Sequence, residues 1–218
     1  HVEFANKLLA NGFAYKCYCS EKEIEDIDLM KKFLIVGLGN IGTEYENTRH
    51  NIGFKILDFF ASDEESVTFE TNKLGATATY KFKGRTFIFL KPSTYMNLSG
   101  KAVKYWMTKE KIPLGNILII TDDINLPFGT IRVKTKGSDG GHNGLKDIQT
   151  QLGTTNYSRF RFGVGAEFSK GRQVDYVLGE WNQEEESQMK ERLEKSKELI
   201  KSFGTAGVNN TMNAFNNT

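Results

Sequence analysis

The sequence has few of the features that mark secreted, disulfide-bonded or membrane proteins. Only two of its 218 residues are cysteine, Cys17 and Cys19, and they form a single C-x-C. This pair offers no disulfide framework, and a zinc site would need further ligands, whereas the three histidines (His1, His50 and His142) lie elsewhere. No apolar run approaches the roughly 20 residues of a membrane helix, and no signal-peptide core is found. We therefore expect a cytoplasmic protein without membrane attachment.

Three common marks of enzyme chemistry are also absent. The chain has no Walker loop G-x-x-x-x-G-K-[ST], no cluster of metal ligands and no active-site cysteine. The sequence therefore predicts neither a metal nor a cofactor, and water is the evident nucleophile of any hydrolysis. A composition of 39% hydrophobic and 26% charged residues is ordinary for a soluble globular domain.

The net charge is only +2, but it is unevenly distributed. Residues 81–136 contain 11 lysines and arginines against three acidic residues. This basic segment is either a phosphate-binding face or an ordinary solvated surface, and charge alone does not separate the two. Within and near it, Lys101, Lys104, Lys134 and Arg161 are our candidates for phosphate contacts.

Residues 32–54 join an apolar run to a dense polar cluster through a glycine turn. Residues 33–36 are typical of a strand that is covered on both faces. The glycines that follow allow the backbone to turn tightly and to approach a ligand. Helical spacing of apolar residues predicts a helix that begins at Asn47 or Thr48, with either side chain as its cap. His50 would then lie near the helix start, facing the turn.

The string GLGNIG, residues 37–42, also fits the dinucleotide-binding pattern G-x-G-x-x-G. In that fold the glycines open the helix directly, and an acidic residue about 20 positions later binds the ribose. Here the polar residues 43–51 intervene, Asp58 falls inside the predicted helix, and only Glu70 is left for the ribose. Dinucleotide binding is therefore the weaker interpretation of this pattern.

Three further blocks follow the first one along the chain. They are KPSTYMNLSGKAV (91–103), TDDINLPFGTIRVK (121–134) and GGHNGLKDI (140–148). Together with GLGN, Tyr45 and TRHNIGF, these blocks resemble, in order, the motifs of bacterial-type peptidyl-tRNA hydrolases. The resemblance covers residues 30 to about 215. Ile41 replaces the proline that is usual in the family, which loosens the turn but removes no functional group.

Residues 1–29 resemble a different family. The string G-x-A-Y followed by C-Y-C-S and an E-x-E pattern is similar to a segment of bacterial glutamyl-tRNA synthetases, but none of that family's catalytic signatures is present. We interpret residues 1–29 as a fused or artificially added helical appendage, with a native accessory element as the alternative. Residues 30–218 would then form the hydrolase-like catalytic domain.

Strand and helix patterns alternate after residue 30, with strands predicted at residues 67–70, 75–82 and 86–90. This alternation predicts one α/β domain with a twisted, mixed, largely parallel sheet flanked by helices. In such a sheet the ligand crevice lies at the carboxyl ends of the strands. Residues 137–144 are predicted to be a mobile glycine-rich loop, and the tail 209–218 is too polar for a structural prediction.

The resemblance implies hydrolysis of the ester between a peptide and tRNA, which releases the tRNA for reuse in translation. It places His50 as the general base that activates water, Asp122 as the carboxylate that supports it, and Asn97 at the oxyanion. Spacing alone leaves a structural role for His50 as the alternative to a catalytic one. The residues implied in binding peptidyl-tRNA are Asn40, Tyr45, Tyr95, Met96, Asn143, Lys134 and Arg161.

The competing hypothesis is a non-catalytic RNA-binding module of the same fold. The presence of His50, Asp122 and all three asparagines (Asn40, Asn97 and Asn143) argues against it. No obligate protein partner is implied, and we expect a monomer.

Overall fold

The computed structural model describes residues 31–218, so the predicted appendage at residues 1–29 lies outside the described residues. A seven-stranded sheet forms the centre of this part of the chain, in the order β2-β3-β4-β1-β5-β7-β6. Its strands are β1 Lys32–Gly37, β2 Glu70–Asn72, β3 Gly75–Phe82, β4 Arg85–Pro92, β5 Ile117–Asp123, β6 Ile131–Lys134 and β7 Ser158–Gly163. The four central strands are parallel, and the outer strands pair antiparallel. The predicted mixed α/β domain is confirmed.

Helices cover both faces of the sheet. Within the described residues they are α1 Ile52–Asp63, α2 Ser99–Lys109, α3 Asn143–Leu152, α4 Gln173–Val177, α5 Gln183–Ala206 and α6 Val208–Phe215. Successive residues of β1 point to opposite faces, so Ile35 packs in the core beneath α1 and α5 while Leu34 packs beneath α2 and α3. Both residues are fully buried, as expected for a strand that is covered on both faces. None of the described helices is long and apolar enough to cross a bilayer.

The start of α1 lies directly against the end of β1. A Cβ atom on Gly37 would lie 2.2 Å from the carbonyl oxygen of Gly53, so only glycine allows this approach. Leu38, the next residue, donates its backbone N–H to Ile120 of β5 at 3.0 Å. The ends of β1, β5 and α1 therefore meet, which brings the polar cluster of residues 43–51 to the carboxyl edge of the sheet.

The predicted cap of the first helix is wrong. Two 3-10 turns, Thr43–Tyr45 and Arg49–Asn51, precede α1, which begins only at Ile52. The Thr48 hydroxyl donates to the carbonyl of Tyr45 at 2.8 Å and does not cap the helix. The Thr48 side chain therefore stabilises the turn that precedes His50, and it does so instead of capping a helix.

The polar tail forms α6 and then covers the edge strand β6. The apolar residues of α6, Val208, Met212 and Phe215, are spaced at helical intervals and pack on the core beneath α1 and α5. Beyond the helix, Asn216 accepts the N–H of Val133 at 2.6 Å and donates to its carbonyl at 3.2 Å. These side-chain bonds satisfy backbone groups that an edge strand would otherwise expose.

Candidate active site

A cavity of about 570 Å³ opens at the carboxyl ends of the central strands. Eight of the ten predicted site residues line it: Asn40, His50, Tyr95, Met96, Asn97, Asp122, Asn143 and Arg161. The structure does not bring the other two to the cavity. Tyr45 is half-buried in the turn that precedes α1, and Lys134 is exposed at the last position of β6.

His50 and Asp122 form a directly bonded pair. His50 lies in the Arg49–Asn51 turn and Asp122 in β5, and the His50 Nδ1 is 2.9 Å from Asp122 Oδ1. A carboxylate can only accept, so the neutral imidazole donates from Nδ1 and its unprotonated nitrogen is Nε2. No group of residues 31–218 hydrogen-bonds to Nε2, and the ring lines the cavity. His50 is therefore placed to accept a proton from a molecule in the cavity.

The two groups shift each other's pKa. Burial lowers the pKa of His50, but the charge of Asp122 and its hydrogen bond raise it by more, so the net pKa is above the usual value of 6.5. Burial raises the pKa of Asp122, but the positive charges of His50 and His142 lower it by more, to well below the usual carboxyl range. Asp122 is therefore ionised at neutral pH, and His50 becomes a base only above its raised pKa.

His142 completes the site, and the sequence prediction missed it. Its Nε2 lies 2.9 Å from the same Oδ1 of Asp122, and its ring centroid is 4.9 Å from that of His50. Its Nδ1 accepts the backbone N–H groups of Gly144 at 3.1 Å and Leu145 at 3.3 Å, so His142 caps α3. Its position next to Asn143 in the GGHNG block was the available signal. The predicted loop 137–144 therefore ends earlier, because α3 begins at Asn143.

The three side chains His50, Asp122 and His142 have the composition of a metal site, with ligand atoms within 4.8 Å of one another. The hydrogen bonds of His142 argue against that use. A metal-bound imidazole presents a bare nitrogen to the metal and donates from the other nitrogen. His142 accepts at Nδ1, so the proton of its neutral ring is on Nε2, the nitrogen that faces the cluster. The bonding of His142 therefore differs from that of a metal-bound histidine.

Asn40 is held in one orientation by its neighbours. Asn51, a second residue absent from the sequence prediction, accepts the backbone N–H of Asn40 at 2.8 Å and donates to its carbonyl at 2.9 Å. The Asn40 Oδ1 accepts the N–H of Met96 at 2.9 Å. Its oxygen is thereby occupied, so the side chain offers its NH₂ group to the cavity as a donor.

The two remaining asparagines lie on neighbouring elements. Asn97 is exposed in the Met96–Leu98 turn at the start of α2, and Asn143 is the first residue of α3. Asp147 of α3 accepts the N–H of Gly100 at 2.7 Å, which ties the N-terminus of α2 to α3. The spacing between Asn97 and Asn143 is therefore fixed by a helix contact rather than by loops.

Tyr95 and Arg161 add an aromatic ring and a guanidinium to the cavity lining, whereas the candidate lysines lie outside it. Tyr95 is 59% exposed there, which is unusual for an aromatic side chain. Arg161 lines the cavity, but its Nη2 is paired with Asp123 Oδ2 at 2.6 Å. Lys101 and Lys104 are exposed on α2. Much of the basic segment therefore faces solvent, while the charge of Arg161 is already partly balanced.

Comparison with known proteins shows the family of this chain. The family model described as peptidyl-tRNA hydrolase matches residues 34–218. The peptidyl-tRNA hydrolase of Bacteroides fragilis is 59% identical over 185 residues, which cover 85% of this chain and 98% of that protein. The crystal structure of peptidyl-tRNA hydrolase from Acinetobacter baumannii has a TM-score of 0.80 and 35% identity, covering 86% of this chain and 95% of that one. The chain belongs to the peptidyl-tRNA hydrolase family.

Proposed function

We propose that the protein hydrolyses the ester between the C-terminal carbonyl of a peptide and the terminal ribose of tRNA, with His50 as the general base. The observation that carries this proposal is the His50–Asp122 pair. Asp122 holds the Nδ1 proton of His50, which leaves Nε2 unprotonated at the cavity surface. The membership in the peptidyl-tRNA hydrolase family supplies the substrate.

Each step of the reaction then has a group to perform it. His50 Nε2 takes a proton from water as the water oxygen attacks the ester carbonyl, and Asp122 stabilises the imidazolium that forms. The carbonyl oxygen becomes an oxyanion, for which Asn97 is the proposed donor and Asn40 offers its NH₂ group. One such donor is typically worth about 3 to 4 kcal/mol. When the intermediate collapses, the ribose oxygen leaves and takes the proton from the imidazolium.

The other predicted residues are proposed to bind the two halves of the substrate. Tyr95 presents an exposed ring of the kind on which nucleic-acid bases stack. Met96 is buried beside it and is proposed as an apolar surface near the ester. Asn143 is proposed to hold the attacking water or the peptide carbonyl. Tyr45, Lys134 and Arg161 are proposed to contact the tRNA outside the reaction centre.

The test is turnover of an N-blocked aminoacyl-tRNA by the wild type and by His50→Ala. We expect the variant to lose roughly 10²-fold or more in turnover, because general-base catalysis is commonly worth that much. Its tRNA affinity and melting temperature should stay close to those of the wild type. A wild type that binds tRNA but releases no acyl group would favour the RNA-binding module. Near-normal turnover in folded His50→Ala would contradict the role of His50.

We further propose that the protein acts in the cytoplasm and that one chain suffices for activity, because His50, Asp122 and the three asparagines (Asn40, Asn97 and Asn143) line one cavity. Size-exclusion chromatography at the assay concentration should then give the mass of one chain. Loss of specific activity on dilution, together with a larger mass, would contradict the monomer.

A further inference from the structure

Arg49, the residue before His50, is a buried arginine that ties the base-bearing turn to the segment around α4. It is 7% exposed. Its Nη1 donates to the carbonyl of Glu180 at 2.6 Å, and its Nη2 donates to Glu185 Oε2 at 2.6 Å. Its backbone N–H donates to the carbonyl of Gly179 at 3.0 Å. Arg49 thus makes three hydrogen bonds with a segment about 130 residues away in sequence.

The segment that Arg49 contacts includes α4, a helix of only five residues. A helix this short is not stable by itself, so contacts with the rest of the protein must fix its position. The ring of Tyr176 in α4 lies under the Arg49 guanidinium at 4.4 Å, and its hydroxyl donates to the carbonyl of Val164 at 2.7 Å. The contacts of Arg49 and Tyr176 therefore help to hold α4 in position.

The same segment forms one side of the cavity. Val174, Val177 and Leu178 line it, and we call these three residues the α4 wall. Val174 is 65% exposed, so it is available to a ligand. The wall is aliphatic, whereas Tyr95, another cavity-lining residue, offers an aromatic ring for a base. An aliphatic surface suits the side chain of the amino acid whose carbonyl forms the ester.

We propose that Arg49 is a positioning residue that keeps the α4 wall in register with His50, so that acyl groups with large aliphatic side chains present their carbonyl to the base. This inference rests on the proposed function. A planar guanidinium can bond to Glu180 and Glu185 at once, and the flexible ammonium of a lysine does not reproduce that fork. A wall displaced by about 1 Å would misplace the carbonyl and slow the attack.

A purely structural role for Arg49 makes a different forecast. Arg49 and Glu185 are a buried ion pair, so weakening it would lower the melting temperature and the fraction of folded enzyme. That loss would reduce the rate equally for every substrate. A register between the α4 wall and His50 instead predicts a loss that depends on the size of the acyl side chain.

The experiment measures kcat/KM for one tRNA that carries either N-blocked leucine or N-blocked glycine. Arg49→Lys is expected to lower kcat/KM about tenfold for the leucine ester and about twofold for the glycine ester, because only leucine has a side chain to seat on the wall. Tyr176→Phe, which keeps the ion pair but removes the bond to Val164, should lower the ratio of leucine to glycine rates about threefold. This second variant decides the matter if Arg49→Lys fails to fold.

Arg85→Lys is the matched control. Arg85 Nε donates to the carbonyl of Gly204 at 3.1 Å, near the far end of α5, so the chemical change is the same but the cavity is remote. Its leucine-to-glycine ratio should equal that of the wild type. If kcat/KM falls equally for both esters in Arg49→Lys and in Tyr176→Phe, Arg49 does not keep the α4 wall in register with His50. Failure of the wild type to hydrolyse either ester would overturn the proposed function, and this inference with it.

Discussion

The two histidines of the site share a single oxygen of Asp122. It accepts from His50 Nδ1 and from His142 Nε2, both at 2.9 Å. The second nitrogen of His142 is occupied by the N-terminus of α3, whereas that of His50 has no partner among residues 31–218. Only His50 therefore has a lone pair to offer to water. The difference arises from the hydrogen bonds of each ring, not from its distance to Asp122.

The pH dependence of turnover should reveal the charge of Asp122. The raised pKa of His50 means that turnover rises with pH through an ionisation above the reference value of 6.5, since the base works only when it is neutral. Asp122→Asn removes the charge that favours the imidazolium, so the ionisation should move to lower pH. Turnover at high pH should fall, but by less than in His50→Ala. An unchanged ionisation in the pH profile of kcat/KM would contradict this account.

His142→Asn is expected to shift the ionisation of His50 in the opposite direction. Asparagine is a good helix cap, so α3 should stay intact, but the short side chain cannot replace the ring nitrogen that donates to Asp122. Asp122 would then lack one of its two hydrogen-bond donors, so its charge would favour the imidazolium of His50 more strongly. The ionisation of His50 should therefore move to higher pH. His142→Ala would also lose the cap and should melt at a lower temperature. A downward shift in His142→Asn would show that His142 does not share the carboxylate as described.

The residues that motifs predict and those that they miss differ in how they act. His50, Asp122 and Asn40 stand in strings whose polar residues follow apolar runs, so the sequence locates them directly. His142 and Asn51 act by holding other groups, Asp122 and Asn40, at sequence separations of 20 and 11 residues. Which of several polar loop residues makes such a contact depends on loop geometry, which spacing does not encode.

At the scale of elements, apolar runs in the sequence predict where strands and helices lie more accurately than they predict the residues at which these elements end. The strand at 75–82 is predicted with the bounds that the structure shows, because Lys83 and Gly84 form the turn with positive φ that closes it. The strand predicted at 67–70 is wrong, since β2 is Glu70–Asn72 and Val67 is buried outside it. The ends depend on contacts across the sheet. The mobility of residues 137–144 stays a prediction.

The tail at the edge of β6 gives a prediction for stability without activity. Asn216→Ala would leave the N–H and carbonyl of Val133 without partners, which typically costs about 1 to 3 kcal/mol of unfolding free energy for a buried group. Turnover should not change, because Asn216 does not line the cavity. Asn213→Ala, at an exposed position of the preceding helix α6, is the control and should melt like the wild type. Equal stability of the two variants in urea would show that the tail does not support the edge.

At the scale of the whole molecule, the four candidate phosphate contacts lie on three different elements, α2, β6 and β7. Lys101 and Lys104 are exposed on α2, while Lys134 is exposed on the edge strand β6. Arg161 lies between the edge strand and the centre of the sheet, but Asp123 already balances its charge. The sequence predicted the excess of positive charge, and it could not predict the pairing, because Asp123 and Arg161 meet only across two neighbouring strands.

Lys134 tests whether the edge of the sheet binds tRNA. Its register opposite Arg159 places it three residues, or roughly 10 Å, from the cavity end of β6, a distance at which it can reach the tRNA backbone but not the ester. Lys134→Ala should weaken tRNA binding and flatten the plot of log affinity against log salt concentration by about one unit, as one released counterion requires. Turnover at saturating substrate should stay the same.

Arg161→Ala should change the slope by less, because Asp123 competes with the phosphates. Lys81→Ala, on β3 near the opposite edge of the sheet, is the control and should bind tRNA like the wild type. If Lys134→Ala and Lys81→Ala share the wild-type slope, the exposed lysine of β6 is a solvated surface residue, and the phosphates must be held elsewhere.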